Sequence, residues 1–274
     1  MVERLVPDEL WDLFQRVVPP APSRPQGDGR RRYGDREVLA AIVFVATSGC
    51  TWRQLPPSFG PSGPTAHRRF TEFEQGPGVG EIPPPVLDGL GALGGLDWSR
   101  CAIDSVNMRA MKRGSLTGPN PVDRGKYGSK IHLITERSGL PISVGISGAN
   151  LHDSQALIPL VCGIPPIRSR RGPRRRRPAK LHADKGYDYN HLRRWLALRG
   201  ITHRIARKGV ESSQRLGRHR WTVERTMAWL AGCRRLHRRH ERKSEHFLAF
   251  ASIACTLICY RRLKTTPGAV EAAP

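Results

Sequence analysis

The sequence is poor in acidic residues, and this shortage limits the partners that it can have. It holds 23 Asp and Glu against 46 Lys and Arg in 274 residues, a formal net charge of +23. Such an excess indicates a polyanionic partner, and nucleic acid is the first candidate because phosphate contacts dominate the affinity of basic proteins. A membrane surface is the second candidate, but no basic amphipathic helix with a clean lipid face is present.

Long apolar runs and closely paired cysteines are also missing. The strongly apolar segment FLAFASIACTLICY covers only residues 247–260, short of the roughly 20 residues that span a bilayer, and it predicts a buried helix. No two of the six cysteines form a C-x-x-C pair, which argues against structural zinc and indicates reduced thiols. The acid-bearing N-terminus is not a secretory signal, so we expect a cytoplasmic, nucleoid-associated protein.

The N-terminal part has the apolar spacing of helices. Apolar residues three and four apart predict helices at residues 8–18 and from Asp35 to Gly49. Thr51 can cap a short helix that precedes a Gly/Pro turn, and another short helix follows from Pro64. This second helix would present three basic residues, the DNA-binding candidates His67, Arg68 and Arg69. The pattern is that of a helix-turn-helix, and the alternative is a helical subdomain with a solvated basic face.

The predicted secondary structure changes from helices to alternating strands and helices after a Gly/Pro-rich segment at residues 76–97, which we interpret as a linker. It separates a helical DNA-binding domain, residues 1–75, from an α/β domain, residues 98–264, and residues 265–274 are predicted to be a disordered tail. In the α/β domain, strands alternate with helices and predict a mixed sheet covered on both sides. The predicted strands are at 101–106, 130–148 (two, around a Ser-Gly turn), 180–184 and 201–206, and the helices at 152–161, 189–200, 219–236 and 244–260.

Three acids fall on positions that this layout predicts to be buried. Asp104 lies inside the first strand, Asp184 ends the strand KLHAD, and Glu224 is flanked at helical spacing by Met227, Ala228 and Ala231. Buried carboxylates need a partner or a metal ion. If the three converge, they can bind Mg²⁺ or Mn²⁺, and two such ions can catalyse phosphodiester cleavage.

Each acid also has a structural explanation. Asp104 could accept bonds from backbone amides at a strand end, Asp184 could belong to a turn, and Glu224 could pair with Arg220 one turn earlier. His182, two residues before Asp184, could form a His-x-Asp metal pair, which would suit zinc or iron better than magnesium. The basic surroundings favour the shared explanation, in which all three acids bind metal.

Several longer motifs identify a family. CAIDSVNMRA, KLHADKGYDY, WTVERTMAWL and CRRLHRRHER, with the segment NPVDRGKYGSKIHLITERSGLPISVGISGANLHDSQAL, cover most of residues 99–263. Together they resemble the bacterial insertion-sequence transposases of the DDE type, in the group of insertion sequence five. The N-terminal segments YGDREVLAAIVFVATSGCTWRQLP and PTAHRRF resemble the DNA-binding half of that family.

The resemblance implies a fold class, a reaction and a set of site residues. The fold would be α/β, with a ribonuclease-H-like catalytic domain and a mixed sheet, preceded by a small helical helix-turn-helix-like domain. Asp104, Asp184 and Glu224 would form the catalytic metal-binding triad for Mg²⁺ or Mn²⁺, with two ions. The protein would bind the terminal inverted repeats of its element as a homo-oligomer, cut the ends, and join the freed 3′-hydroxyl to target DNA. No membrane is involved in this reaction.

The sequence departs from the family pattern at two places. A Gly/Pro-rich run replaces the aromatic-rich helix expected after HRRF, and such a run holds a helix poorly. Around the glutamate, Arg220 matches a family position, but Gly217 and Ala231 stand where a Tyr and a Lys are expected. A nearby arginine such as Arg218 can substitute as a phosphate contact.

Other polar residues near the acids are candidates for supporting roles. Asp153 matches a family motif, although an acid at a helix N-terminus has a simpler explanation in the helix dipole. The lysines near the acid-bearing strands could contact the DNA backbone, and the run of seven arginines within residues 168–177 could clamp phosphates. These lysines are Lys126, Lys130 and Lys185.

The sequence therefore predicts a DNA transposase and leaves two alternatives open. One is a catalytically inactive DNA-binding remnant, motivated by the unusual segment at residues 74–95. The other is a ribonuclease-H-like nuclease that cuts DNA without joining it.

Overall fold

The computed structural model describes residues 1–19, 32–74, 82–210 and 213–267. Within these residues, six strands form one mixed sheet: β1 (Cys101–Arg109), β2 (Gly118–Pro119), β3 (Tyr127–Glu136), β4 (Pro141–Gly148), β5 (Lys180–Ala183) and β6 (Thr202–Ile205). β1, β3 and β4 form an antiparallel meander, and β5 and β6 join β1 in parallel. The main order β4–β3–β1–β5–β6 is the ribonuclease-H-like arrangement, so the predicted fold class is confirmed.

The helices surround this sheet. The N-terminal ones are α1 (Val2–Leu5), α2 (Asp8–Phe14), α3 (Asp35–Ser48), α4 (Gly63–Glu74) and α5 (Pro84–Ala92); the others are α6 (Leu157–Cys162), α7 (Asn190–Leu198), α8 (Ser213–Leu230) and α9 (Ser244–Thr265). α3 ends as predicted at Gly49, whose positive φ of 74° suits a glycine C-cap. The helix predicted at residues 8–18 is α2, which ends earlier, at Phe14.

α9 is the central helix of the fold. From Phe247 to Tyr260 it is apolar on all sides because this part is almost completely buried: α9 contacts β4 of the sheet and also α3, α4 and α5. The hydrophobic core is therefore continuous from the N-terminal helices to the sheet. None of the described helices is long and apolar enough to cross a membrane.

The helix-turn-helix prediction is only partly correct. Thr51 forms the predicted cap, with a capping box to Gln54, but the helix that it begins is a single 3₁₀ turn, Trp52–Gln54. Pro56 and Pro57 follow immediately and prevent the turn from continuing as an α-helix. Only the second helix of the predicted pair, α4, has its full length.

The predicted linker contains an element that the sequence did not suggest. α5 begins with two prolines at positions that tolerate them, and it buries Val86, Leu87 and Leu90. It packs against α9, so the linker prediction is wrong for this part of residues 76–97. The segment 75–81 and most of the predicted tail, residues 268–274, lie outside the described residues.

Candidate active site

Asp104 and Asp184 come together at the centre of the sheet. β1 and β5 pair in parallel, with Cys101 opposite Leu181 and Ala102 opposite His182. The pairing ends there, and continuing the same register by two residues brings Asp104 level with Asp184, which directly follows β5. Neighbouring strands lie about 4.8 Å apart. Because side chains alternate between faces, Ala102, Asp104, His182 and Asp184 share one face of the sheet.

Asp184 is held in place by the turn that follows it. Its Oδ1 accepts a hydrogen bond of 2.8 Å from the backbone N–H of Gly186, as the cap of the 3₁₀ helix Lys185–Tyr187. Asp188 fixes the other end of this turn, since it accepts bonds from Arg193 and from the Lys208 N–H. Hydrogen bonds from Lys208 and Arg193 lower the pKa of Asp188. The sequence reasoning missed this brace; the acid in the motif GYD was its only signal.

Asp104 is half-buried in β1, and its Oδ1 accepts a 2.9 Å hydrogen bond from the N–H of Ser105. Two carboxylates on adjacent strand positions, each oriented by a backbone amide, are a donor set suited to a hard divalent cation. The two aspartates therefore fit the metal that the sequence predicts.

Glu224 differs from its prediction. It lies on α8, which contacts β1, β3 and β5, but its side chain is exposed. The buried face of α8 is formed instead by Thr222, Val223, Thr226 and Leu230. Thr226 donates to Gly139 O, so α8 is fixed against the turn between β3 and β4. Within the described residues, no three His, Cys, Asp or Glu side chains are grouped closely enough to bind a metal ion.

Lys130 and Asp153 form a partly buried ion pair on the other face of the sheet. Lys130 Nζ lies 2.9 Å from Asp153 Oδ1 and donates also to Leu151 O, and Ser105 donates to the same carboxylate. Burial acts to raise the pKa of Asp153, but the bonds from Lys130 and Ser105 outweigh it and lower that pKa. Ser105 follows Asp104 in β1, so the two side chains point to opposite faces of the sheet. The network of Lys130, Asp153 and Ser105 therefore lies behind the aspartate pair, and Lys130 is not exposed to DNA.

His132 belongs to the same buried face. Its cross-strand neighbour in β1 is Ser105, its Nε2 bonds to Ser147 Oγ, and only 2% of the residue is exposed. Burial lowers its pKa to about 4. At neutral pH it is therefore an uncharged member of the structural network.

The basic candidates of α4 have different environments. Arg69 is buried, with 2% exposure, and its guanidinium pairs with Asp35 and Glu72. Arg69 therefore joins α3 to α4, and its prediction as a DNA contact is wrong. His67 is half-buried, with its ring against Trp52, while Arg68 is exposed. The sequence did not separate the three because all are equally polar.

The remaining candidates have mixed positions. Lys126 is exposed and Lys185 is half-buried. Arg218 and Arg220 fall in the first half of α8, where the side chains lie outside the described part of the structure.

The run of arginines at residues 168–177 is more ordered than a free loop. Ile167 and Arg175 form an isolated antiparallel bridge, and Arg174 pairs with Asp88 of α5 at 2.9 Å. Arg176 donates to two carbonyls, and Arg175 lies over the Trp98 ring. Part of the positive charge of this run is thus engaged within the chain.

Comparison with known proteins gives the family. Residues 98–259 match the family model described as "Transposase DDE domain", and residues 6–78 match the one described as "Putative transposase of IS4/5 family". The first match covers all six strands and most of α9. The second covers α2, α3 and α4.

Two proteins of Burkholderia cepacia are similar in sequence. The "Putative transposase for insertion sequence element IS402" is 46% identical over 148 residues, which are 54% of this chain and 70% of that protein. The "Insertion element IS402 uncharacterized 16.2 kDa protein" is 34% identical over 123 residues, 44% of this chain and 84% of that protein. The crystal structure of the Mos1 strand transfer complex superposes with a TM-score of 0.33 and 14% identity, over 92% of this chain and 81% of that one.

Proposed function

The chain belongs to the DDE transposase family and is a DNA transposase, and we propose that Asp104 and Asp184 are its catalytic metal-binding pair. The observation that supports the proposal is the parallel pairing of β1 with β5, whose register, continued by two residues, brings Asp104 level with Asp184. The high positive charge of the rest of the chain supports a DNA substrate.

Family membership implies divalent metal, and the two aspartates suit it. Their oxygens are the hard ligands that Mg²⁺ and Mn²⁺ prefer, and we propose two ions. When bound, such ions supply activation of an oxygen nucleophile and stabilisation of the leaving oxygen. The N–H groups of Ser105 and Gly186 each hold one carboxylate oxygen in place before DNA arrives.

The proposed reaction has two steps at this pair of aspartates. In the first, water attacks the phosphodiester at the end of the element and frees a 3′-hydroxyl. In the second, that hydroxyl attacks a phosphodiester of target DNA, forms a new bond, and displaces a target 3′-oxygen. The residues of the chain position the scissile phosphate, and no covalent bond between protein and DNA is needed.

The remaining roles follow from exposure and position. Glu224 is proposed as the third acid because its helix crosses the same strands, although its side chain is not grouped with the aspartates. Arg68, Lys126 and Lys185 are proposed phosphate contacts, as are Arg218 and Arg220, and His67 contributes at the edge of α4. The DNA would be the terminal inverted repeats and the target, bound by a homo-oligomer in the nucleoid.

The test compares Asp184→Asn with the wild type in DNA cleavage and in thermal melting with Mn²⁺. Asparagine keeps an oxygen that can accept from the Gly186 N–H, so the fold is retained while the charge is lost. Metal at about a hundredfold its Kd should stabilise the wild type by about 2.7 kcal/mol. Asp184→Asn should lose most of this shift and all cleavage, but should still bind DNA.

A variant that keeps both the metal-induced shift and cleavage would disprove the role of Asp184. Asp188→Asn is the matched control, because Asp188 braces the same turn without belonging to the pair. This control should be less stable, because it weakens the bonds from Arg193 and the Lys208 N–H, but it should keep a measurable shift in melting temperature with Mn²⁺.

The exposure of Glu224 gives a specific reason to test the second function, a DNA-binding remnant without catalysis. Such a protein would bind the ends of related elements and show no metal-dependent cleavage, even in the wild type. Cleavage by the wild type and its loss in Glu224→Gln would exclude this alternative. Cleavage without any joined product would instead favour the other alternative, a ribonuclease-H-like nuclease that cuts DNA without joining it.

A further inference from the structure

A strongly basic surface lies beyond the aspartate pair, on the segment that connects β1 to β3. We call this connecting segment, residues 110–126, the excursion. We name the whole basic surface the hairpin surface: residues 109–126 together with residues 238–243, which pack against them. Apart from Arg239, its lysines and arginines are exposed, and they belong to two segments that are distant in sequence. They are Arg109, Lys112, Arg113, Arg124, Lys126, Arg238, Arg242 and Lys243.

Arg239 holds the two segments together from beneath. Its side chain has no exposed area, and it donates to the carbonyls of Ser115 and Leu116 on one side and of Glu241 and Arg242 on the other. The backbone adds an isolated parallel bridge between Ala110 and Arg239. A fully buried guanidinium with this many carbonyl acceptors fixes the shape of the excursion.

Leu116 shows that this shape is imposed on the chain. Its φ is 50°, a left-handed conformation that is unfavourable for a residue with a branched side chain. The carbonyl of Leu116 is held by both Arg239 and Ser129, while its side chain is 47% exposed. Strain that surrounding contacts maintain, at a site presenting an apolar side chain among cations, points to a binding role.

The position of the surface relates it to the active site. The excursion begins one residue after β1 ends, six positions beyond Asp104, and a strand rises about 3.3 Å per residue. The surface therefore starts about 20 Å from the aspartate pair, which corresponds to about six base pairs of duplex DNA.

We propose that the hairpin surface binds the backbone of duplex DNA about six base pairs from the scissile phosphate, with Leu116 as an apolar contact in the groove. Arg239 is a positioning residue that acts through the excursion and does not itself touch DNA. The proposal rests on the proposed function for the location of the scissile phosphate. The charge of the surface is the reason for choosing DNA as its occupant over a second copy of the chain.

The experiment measures the affinity for a mixed-sequence DNA duplex over a series of salt concentrations. The surface variant is Lys112→Gln, Arg113→Gln and Lys126→Gln together. The control is Arg261→Gln, Arg262→Gln and Lys264→Gln, which removes the same charge from the far end of α9, about 30 Å away along a helix of 22 residues.

The surface variant should reduce the magnitude of the log–log salt slope by up to about 2.7, which is three contacts at about 0.9 each. The control should change the slope much less. Equal slopes for the two variants would overturn the proposal. An unchanged DNA affinity with loss of self-association, measured by light scattering, would assign the surface to a second copy and would also overturn it.

Two further variants separate binding from folding. Leu116→Gly relieves the left-handed strain, so its melting temperature should not fall appreciably, while its DNA affinity should fall several-fold. Arg239→Lys keeps the charge but cannot make the same fork of bonds. Combined with the surface variant, it should weaken DNA binding by much less than the sum of the two separate effects.

An additive double variant would contradict the positioning role of Arg239, and wild-type affinity in Leu116→Gly would contradict the role of Leu116 as a DNA contact. Cleavage is measured separately in all variants. If the wild type does not cleave DNA but the slopes change as expected, the proposed catalytic function fails, and DNA binding by the hairpin surface stands without its distance from a scissile phosphate.

Discussion

At the scale of the residue, the polar groups behind the aspartate pair carry much of the local stability. Lys130 has a side chain only 11% exposed, and its charge is balanced by Asp153 on the adjoining turn. An ammonium group at this depth needs its partner, because the desolvation of an unpaired charge is unfavourable.

Asp153→Ala should therefore destabilise the fold by about 2 kcal/mol, below the value for fully buried pairs because Asp153 is one-third exposed. Chemical denaturation measures the change. The double variant with Lys130→Met should be more stable than Asp153→Ala alone, since it removes the ammonium charge that Asp153→Ala leaves without its partner. A double variant that is less stable than the single one would show that the pair is not the reason for the loss.

His132 should make stability depend on pH. Its pKa is about 4 in the folded protein and 6.5 in the unfolded chain, so below pH 6.5 protons bind preferentially to the unfolded state. The contribution is complete above pH 6.5 and is lost as the pH falls toward 4. Between pH 7 and pH 5 this loss amounts to about 2 kcal/mol.

The comparison for this prediction is His132→Gln, which keeps a polar group near Ser147 and does not titrate. The decrease in unfolding free energy from pH 7 to pH 5 should be smaller in the variant than in the wild type by about 2 kcal/mol. Other histidines with lowered pKa, among them His67 and His246, contribute equally to both proteins and cancel. An identical decrease in both proteins would contradict the assignment.

At the scale of the element, α5 provides a matched pair of glycines. A Cβ on Gly91 would overlap the carbonyl oxygen of Arg168, whereas one on Gly89 would approach only the side chain of Leu263, at 3.2 Å. Gly91→Ala should therefore cost roughly 1–3 kcal/mol through overpacking against backbone. Gly89→Ala should be close to neutral, because the gain in helix propensity offsets a small side-chain adjustment.

Melting curves of the two variants distinguish a docked helix from a linker. In a linker, neither alanine would meet a neighbour, and the two variants would melt at nearly the same temperature. A clear difference, with Gly91→Ala the less stable, is expected from the contact with residue 168.

The same helix illustrates which elements the sequence could predict. Strands β1, β3, β4, β5 and β6 and helix α3 follow from apolar periodicity and turn residues, since their side chains meet the core at regular spacing, and α9 follows from its continuous apolar run. α5 contains two glycines and two prolines, and it forms because α9 offers an apolar surface to Val86, Leu87 and Leu90. Tertiary contact decides that helix, and no local pattern reports it.

The candidate site also depends in part on tertiary contacts that the sequence does not report. The positions of Asp104, inside β1, and Asp184, at the end of β5, follow from the predicted strands, but the exposure of Glu224 depends on how α8 is rotated against the sheet. Met227, Ala228 and Ala231 suggested an apolar face there, whereas Thr222 and Thr226 lie on the buried one because Thr226 bonds to Gly139 O. Likewise, nothing local separates the buried Arg69 from the exposed Arg68.

At the scale of the whole molecule, the positive charge is divided between internal contacts and the surface. Arg69, Arg235 and Arg239 are buried and hydrogen-bonded within the fold, so they are not available to phosphates. The formal charge of +23 therefore overstates the number of cations that can release counterions from DNA. The salt dependence of DNA affinity measures the cations that remain.

The arginine run at residues 168–177 allows internally bonded and exposed arginines to be compared in two variants that remove the same charge. Arg174 pairs with Asp88 and Arg176 donates to the carbonyls of Ile164 and Cys162, while Arg170 and Arg171 are exposed on the same loop. If the run clamps phosphates, replacing Arg170 and Arg171 by Ser should reduce the magnitude of the log–log salt slope by up to about 1.8. Replacing Arg174 and Arg176 by Ser should change the slope less and the melting temperature more, because these guanidiniums hold the loop to the fold. Equal slopes for the two double variants would show that internal bonding does not decide which arginines meet DNA, and a wild-type slope in both would show that the run does not contact DNA at all.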